Sequence, residues 1–276
     1  NPYLFPGGDI GKLSVCGTVN DLCMAGGDPK YLSLSFILEE GFPFKDLETI
    51  IRSIADTAKK AGVKIVTGDT KVVEKGKGDG IYINTSGIGF LAHPGLERKR
   101  ISEGDRIIVS GTVGDHGTAV MMARNSHLVT GNILSDCMPL HELARAMREF
   151  GDDVRFMRDP TRGGLATTLN EFVEGTGLCA ELEEKMIPVH PSVNAACDIL
   201  GLDPLYCACE GRLVACVSSL AAEKVVEKLR QTEGGQNARI IGTITKRSPS
   251  RVIMKTGFGG SRILSKLSGA QLPRIC

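Results

Sequence analysis

The apolar positions of the chain fall into short runs separated by amphipathic stretches. Residues 31–38 form an apolar run of strand length. From Pro43 the spacing becomes helical, and Leu47, Ile50, Ile51, Ile54, Ala58 and Ala61 share one face. Gly62 supplies the stop, residues 63–66 read as the next strand, 74–80 as a polar turn and 81–90 as another strand. His93-Pro94-Gly95 then interrupts the pattern, and a charged segment runs to Asp105.

The pattern restarts with a strand at 106–110. Helices are expected over 117–125, 139–150, 164–174, 193–200 and 221–230, and strands over 178–183, 213–217, 238–243 and 251–255. Interleaved helices and strands imply an α/β or α+β class. From Gly257 the chain turns to Gly, Ser, Lys and Arg, the composition of a mobile tail. The expected organisation is therefore an N-terminal domain over 1–95, a C-terminal domain over 96–256 and a tail over 257–276 that ends on Cys276.

Composition narrows the function classes. A net charge of +1 argues against a nucleic-acid-binding surface, and no apolar run is long enough to cross a membrane. Nine cysteines without a secretory signal imply reduced thiols and a cytoplasmic protein. Cys207 and Cys209 form C-x-C with no second pair, so they do not read as a zinc site. Residues 8–13, Gly-Asp-Ile-Gly-Lys-Leu, lack the spacing and the Ser/Thr of a phosphate loop. The chain also lacks G-x-G-x-x-G, H-E-x-x-H and G-x-S-x-G.

Four stretches carry candidate chemistry. In NDLCMAGGDP (20–29), Asn20 and Asp21 sit inside a glycine-rich apolar run. An unpaired carboxylate is costly there, so Asp21 needs a partner, and a divalent cation is one candidate. In VTGDTK (66–71), Asp69, Thr70 and Lys71 place a carboxylate, a hydroxyl and an ammonium at an expected strand end, or else form only a turn. Brought together, Asp21 and Asp69 would hold Mg²⁺ against nucleotide phosphates. In RDPTRGGL (158–165), Asp159, Gly163 and Gly164 precede a helix whose free amides suit an anion, unless the stretch is only a tight turn. In CACEGR (207–212), Glu210 is either paired with Arg212 or poised as a base.

The spacing Asp21, four residues, Gly26-Gly27, one residue, Pro29 resembles the D-x₄-G-A-x-P signature of the PurM-like ATP-binding superfamily, with Gly27 in place of the alanine. Together with FPGGDIGKLSVCGTVNDL, SGTVGDHG, MRDPTRGGLATTLNE and the terminal PRIC, the whole chain is similar to the HypE family of hydrogenase maturation. That resemblance implies a two-domain α+β PurM-like fold, a homodimer, and a site for ATP and Mg²⁺. It implies a carbamoyl group received on Cys276 from the carbamoyltransferase HypF and dehydrated to a thiocyanate, with the cyanide passed to a HypC–HypD scaffold. On this reading Glu210 is the base, Lys71 acts near the reacting groups, and Asn20, Asp21, Asp69, Thr70, Asp159, Gly163 and Gly164 bind the nucleotide. The resemblance also implies a further N-terminal segment before Asn1, with a glycine-rich stretch and an aspartate for Mg·ATP. The competing expectations are another PurM-like synthase or kinase, and a non-catalytic scaffold that docks through its tail.

Overall fold

The computed structural model describes residues 2–125, 131–247 and 249–267. A hairpin of β1 (Leu4–Phe5) and β2 (Gly8–Asp9) leads into α1 (Ile10–Met24). Asp9 caps this helix, its Oδ1 accepting from the amides of Gly11 and Lys12 at 2.7 and 3.0 Å. Then follow β3 (Gly27–Glu39), α2 (Phe44–Ala61), β4 (Lys64–Val73) and β5 (Ile81–Leu91). The helical spacing read from the sequence falls on α2, which buries Ile50, Ile54, Ala58 and Ala61. Ile51, expected on that face, is exposed. Gly62 ends the helix in the left-handed region at φ 69°, its amide returning to Ala58 and Lys59.

These strands form a sheet of order β4-β3-β5, with β4 parallel and β5 antiparallel to β3. The stretch 66–71, expected at a strand end, lies in the middle of β4. The long β3 pairs with it from Tyr31↔Lys64 to Glu39↔Val73 and so extends it well past Val66.

The rest of the chain comprises β6 (Arg106–Val109), α3 (Asp115–Arg124), α4 (His141–Arg148), β7 (Val154–Arg158), α5 (Gly164–Val173), β8 (Leu178–Glu183), α6 (Pro191–Leu200), β9 (Val214–Val217), α7 (Ala222–Arg230), β10 (Arg239–Lys246), β11 (Val252–Lys255) and β12 (Ser261–Leu264). Its sheet has the order β12-β11-β8-β10-β6-β9-β7, with β8 and β11 its parallel pair. Alternation along these strands divides two cores. Ile108, Ala215 and Val217 face α4, α7 and the buried sides of α1 and α2. Ile107, Val109, Val214 and Cys216 face α5. One apolar core thus runs from the N-terminal helices into the larger sheet and fixes α1 against it.

The stretch from Gly257, expected as a mobile tail, contains a further strand. Residues 261–264 pair with β11 from Lys255↔Ser261 to Val252↔Leu264, and the pairing carries Leu264 into the core while its neighbour Ile263 stays exposed on the other face. Beyond the strand, Asn170 donates to Leu264 O, Tyr206 to Ser265 O, and Leu267 N–H to Thr167 Oγ1. Residues 268–276, including Cys276, lie outside the described residues.

Burying Leu264 contributes about 2 kcal/mol. A chain ended at Thr256 should therefore melt several degrees below one ended at Leu267, measured side by side by calorimetry. Equal melting temperatures would mean that β12 adds nothing to the fold.

Candidate active site

Helix α1 presents Cys16 and Asn20 inward and Asp21 at an exposed rim. The α1 face that carries Cys16 and Asn20 meets two segments of the larger domain, 135–140 and 207–212, while the β7–α5 junction brings Asp159 alongside. Asp159 is buried, and its carboxyl is pushed up to about 6, first by burial and next by the charge of Asp21. Glu210 is 3% exposed. Burial, then Asp136, Asp159, Cys16 and Asp21, hold its carboxyl well above the ordinary range. Asp21, though at the exposed rim, is crowded enough by protein to lose part of its hydration, which raises its carboxyl against the opposing pull of Arg158. Three carboxyl groups from segments far apart in sequence thus share one electrostatic neighbourhood.

Arg212 does not pair with Glu210. Its Nε lies 3.6 Å from Asp136 Oδ2 and its Nη2 3.7 Å from Asp115 Oδ2, and the guanidinium also donates to Thr112 O at 3.0 Å. The charge that would have neutralised Glu210 is engaged by other carboxylates. Asp136 carries no signal in the sequence, since its partner Glu210 is 74 positions away.

Asn20, expected to touch nucleotide, is fully buried, and its amide is used on protein backbone. Nδ2 donates to Met138 O at 3.2 Å and Glu210 O at 3.3 Å, and Oδ1 accepts from Leu140 N–H at 2.8 Å. A side chain with no exposed surface and this set of partners is not available to a phosphate.

The two glycines at the start of α5 also act differently from expectation. Gly163 and Gly164 have φ of 77° and 59°, which disfavour side chains. A Cβ on Gly164 would stand 2.6 Å from both Leu205 O and Cys207 O. Its N–H donates to Thr161 O at 3.0 Å, so this amide is not free for an anion. Gly164 lets the start of α5 press against the segment that leads to Glu210.

Asp69, Thr70 and Lys71 lie on the exposed edge strand β4. The Asp69 carboxylate accepts from the Thr70 amide at 2.8 Å. Within one chain Asp21 is brought to Asp159 and Glu210, and among the described residues no set of three acidic, histidine or cysteine side chains is arranged to ligate a metal. The eight described cysteines are all free, and no described helix is long and apolar enough to cross a membrane.

Two α+β domains facing each other across this acidic site define an AIR synthase related protein. The N-terminal domain of that family matches residues 1–91 and the C-terminal domain 102–255. The carbamoyl dehydratase HypE of Cupriavidus necator is 51% identical over 277 residues, covering 100% of this chain and 79% of that protein. A hydrogenase maturation protein HypE solved in complex with ATP is 44% identical with TM-score 0.94, covering 100% of this chain and 84% of that one. A chain of a solved HypE–HypF complex is 46% identical with TM-score 0.92, covering 97% of this chain and 87% of that one. The chain belongs to the HypE family of carbamoyl dehydratases.

A carboxyl raised from 3.8 to about 6 disfavours folding once it ionises. The fold bears no such cost below about pH 4 and bears on the order of 2–3 kcal/mol above about pH 6. Asp159→Asn should therefore raise the melting temperature at neutral pH by a few degrees, with the gain vanishing in acid. A gain independent of pH would assign the effect to packing.

Proposed function

We propose that the chain uses ATP to dehydrate a carbamoyl group carried on the Cys276 thiol to a thiocyanate, which supplies the cyanide ligand for the iron of [NiFe]-hydrogenase. The observation that carries this reading is the convergence of Asp21, Asp159 and Glu210, with Glu210 withdrawn from water and paired with no cation among the described residues. The relative solved with ATP supports the nucleotide, and the one solved with HypF supports a carbamoyltransferase that loads Cys276. A HypC–HypD scaffold is the proposed acceptor of the cyanide.

The balance of the reaction sets the tasks. The carbamoyl oxygen leaves with the γ-phosphoryl group, and as the C≡N bond forms one nitrogen proton ends on the departing phosphate and the other is released, giving ADP, hydrogen phosphate and one proton. Glu210 accepts the nitrogen proton that is released. Burial and the neighbouring carboxylates hold its carboxyl well above the ordinary range, so the fraction ready to act as a base rises with pH. Asp21 and Asp159 face the nucleotide, and their mutual repulsion is the kind of field a divalent cation relieves. Mg²⁺ there would neutralise phosphate charge. Asp69, Thr70 and Lys71 complete the site through a homodimer. In support, their sheet exposes Val66, Ile88, Phe90 and Leu91, apolar surface that a second copy would cover.

Glu210→Gln is expected to accept the carbamoyl group yet form no thiocyanate, as read by intact mass spectrometry. The wild-type dehydration rate should rise with pH through a midpoint above the usual carboxylate range. A rate flat from about pH 5 to about pH 8 would move the base elsewhere.

Cys276→Ala should bind ATP with unchanged affinity by calorimetry while producing no thiocyanate band in the infrared. Thiocyanate formation by that variant would remove the thiol from the reaction.

A further inference from the structure

The peptide groups of Glu210 are held by two other parts of the chain. Its N–H donates to Asp136 Oδ1 at 3.1 Å, and its C=O accepts from Asn20 Nδ2 at 3.3 Å and from Met138 N–H at 3.3 Å. Asn20 binds both sides of the 138–140 segment as well, donating to Met138 O and accepting from Leu140 N–H. Leu140 is the residue immediately before α4, so the same amide also fixes the start of that helix. Asn20 thus joins three parts of the chain in space: the N-terminal helix α1, the approach to α4 and the Glu210 loop.

Geometry makes this a specific device. An amide is the side chain that offers both donors and an acceptor at this length. An aspartate in place of Asn20 could accept from Leu140 N–H but would face the carbonyls of Met138 and Glu210 with oxygens. Gly211, beside the clamped peptide, has no room for a side chain, since a Cβ there would stand 1.9 Å from Asp136 O. The loop is therefore packed against the 136–138 backbone as well as bonded to it. Asp21 follows Asn20 on the same helix, so the residue that fixes the Glu210 backbone and the carboxylate at the rim of the site share one rigid element.

We propose that Asn20 and Asp136 are positioning residues that clamp the Glu210 peptide from its two sides and set the placement of its carboxyl relative to Asp21. This rests on the dehydratase reading for the identity of the reaction, and on hydrogen bonds alone for the clamp. Neither residue touches substrate; both act through Glu210. A misplacement of about 1 Å in such a group lowers turnover by roughly 100-fold.

The test uses the full-length chain, carbamoylated on Cys276, in single-turnover dehydration with ATP, with thermal melts of every variant. Asn20→Ala is expected to lower the rate by roughly 10- to 100-fold while leaving the ATP concentration for half-maximal rate within about twofold. Asp136→Ala should do the same, whereas Asp136→Asn, which keeps the acceptor for the Glu210 amide, should recover most of the loss. Wild-type rates in Asn20→Ala and Asp136→Ala would overturn the clamp, as would equal losses in Asp136→Ala and Asp136→Asn or a matching rise in the ATP requirement. If Asn20→Ala fails to fold, the Asp136 pair decides alone. Glu210→Gln run in parallel separates the two readings: its full activity would remove the base assignment, while its inactivity beside an unimpaired Asn20→Ala would remove the clamp only.

Discussion

Repulsion among Asp21, Asp136, Asp159 and Glu210 is the constraint on which the rest of this structure depends. Burial strengthens such repulsion, because little water remains to screen it. Arg212 offsets part of it at Asp136 and Asp115, and leaves Glu210 subject to the remainder. The compensation must come from apolar packing elsewhere. The two cores on either side of the seven-stranded sheet supply it, and the one that includes Val15, Val19, Ile50 and Ile54 anchors α1 where Asp21 must stand. A site that costs stability is thereby held by elements that are not part of it.

Much of the fold can be read from spacing. The helical period from Leu47 to Ala61 and its glycine stop are local signals, and they correspond to α2 and its cap. The length of β4 is not local, since nothing in VTGDTK says that the strand continues. Its partner β3 does, through pairing that reaches Glu39↔Val73. For the same reason β12 is hidden in a glycine-rich composition, because its stabilising partner is β11.

The site is legible to the extent that its chemistry is carried by unusual residues in unusual surroundings. A carboxylate amid glycine and apolar side chains draws attention to Asp21 and Glu210 from the sequence alone. Their neighbours are another matter. In the sequence Asp136 is ordinary, Asn20 resembles a ligand, and Arg212 is the nearest partner for Glu210. Each assignment turns on contacts 70 or more positions apart, which spacing does not encode. The family resemblance carries Asn20 into a ligand set, and the hydrogen bonds show it occupied by backbone.

The anchoring of Leu267 to Thr167 has a consequence for how other proteins meet this one. Nine residues run from Leu267 to the terminal thiol, and their contour length is at most about 30–32 Å. A tether starting at Gly257 would have swept a volume roughly ten times larger. Whatever path these residues take, the thiol stays inside a sphere centred beside the start of α5. On the proposed dehydratase reading, a protein that loads Cys276 and one that unloads it would each have to bring a reactive centre into that sphere, and so approach the same side of the larger domain. Two proteins confined to one such approach would exclude each other, so that loading and unloading of a short leash would be successive rather than simultaneous.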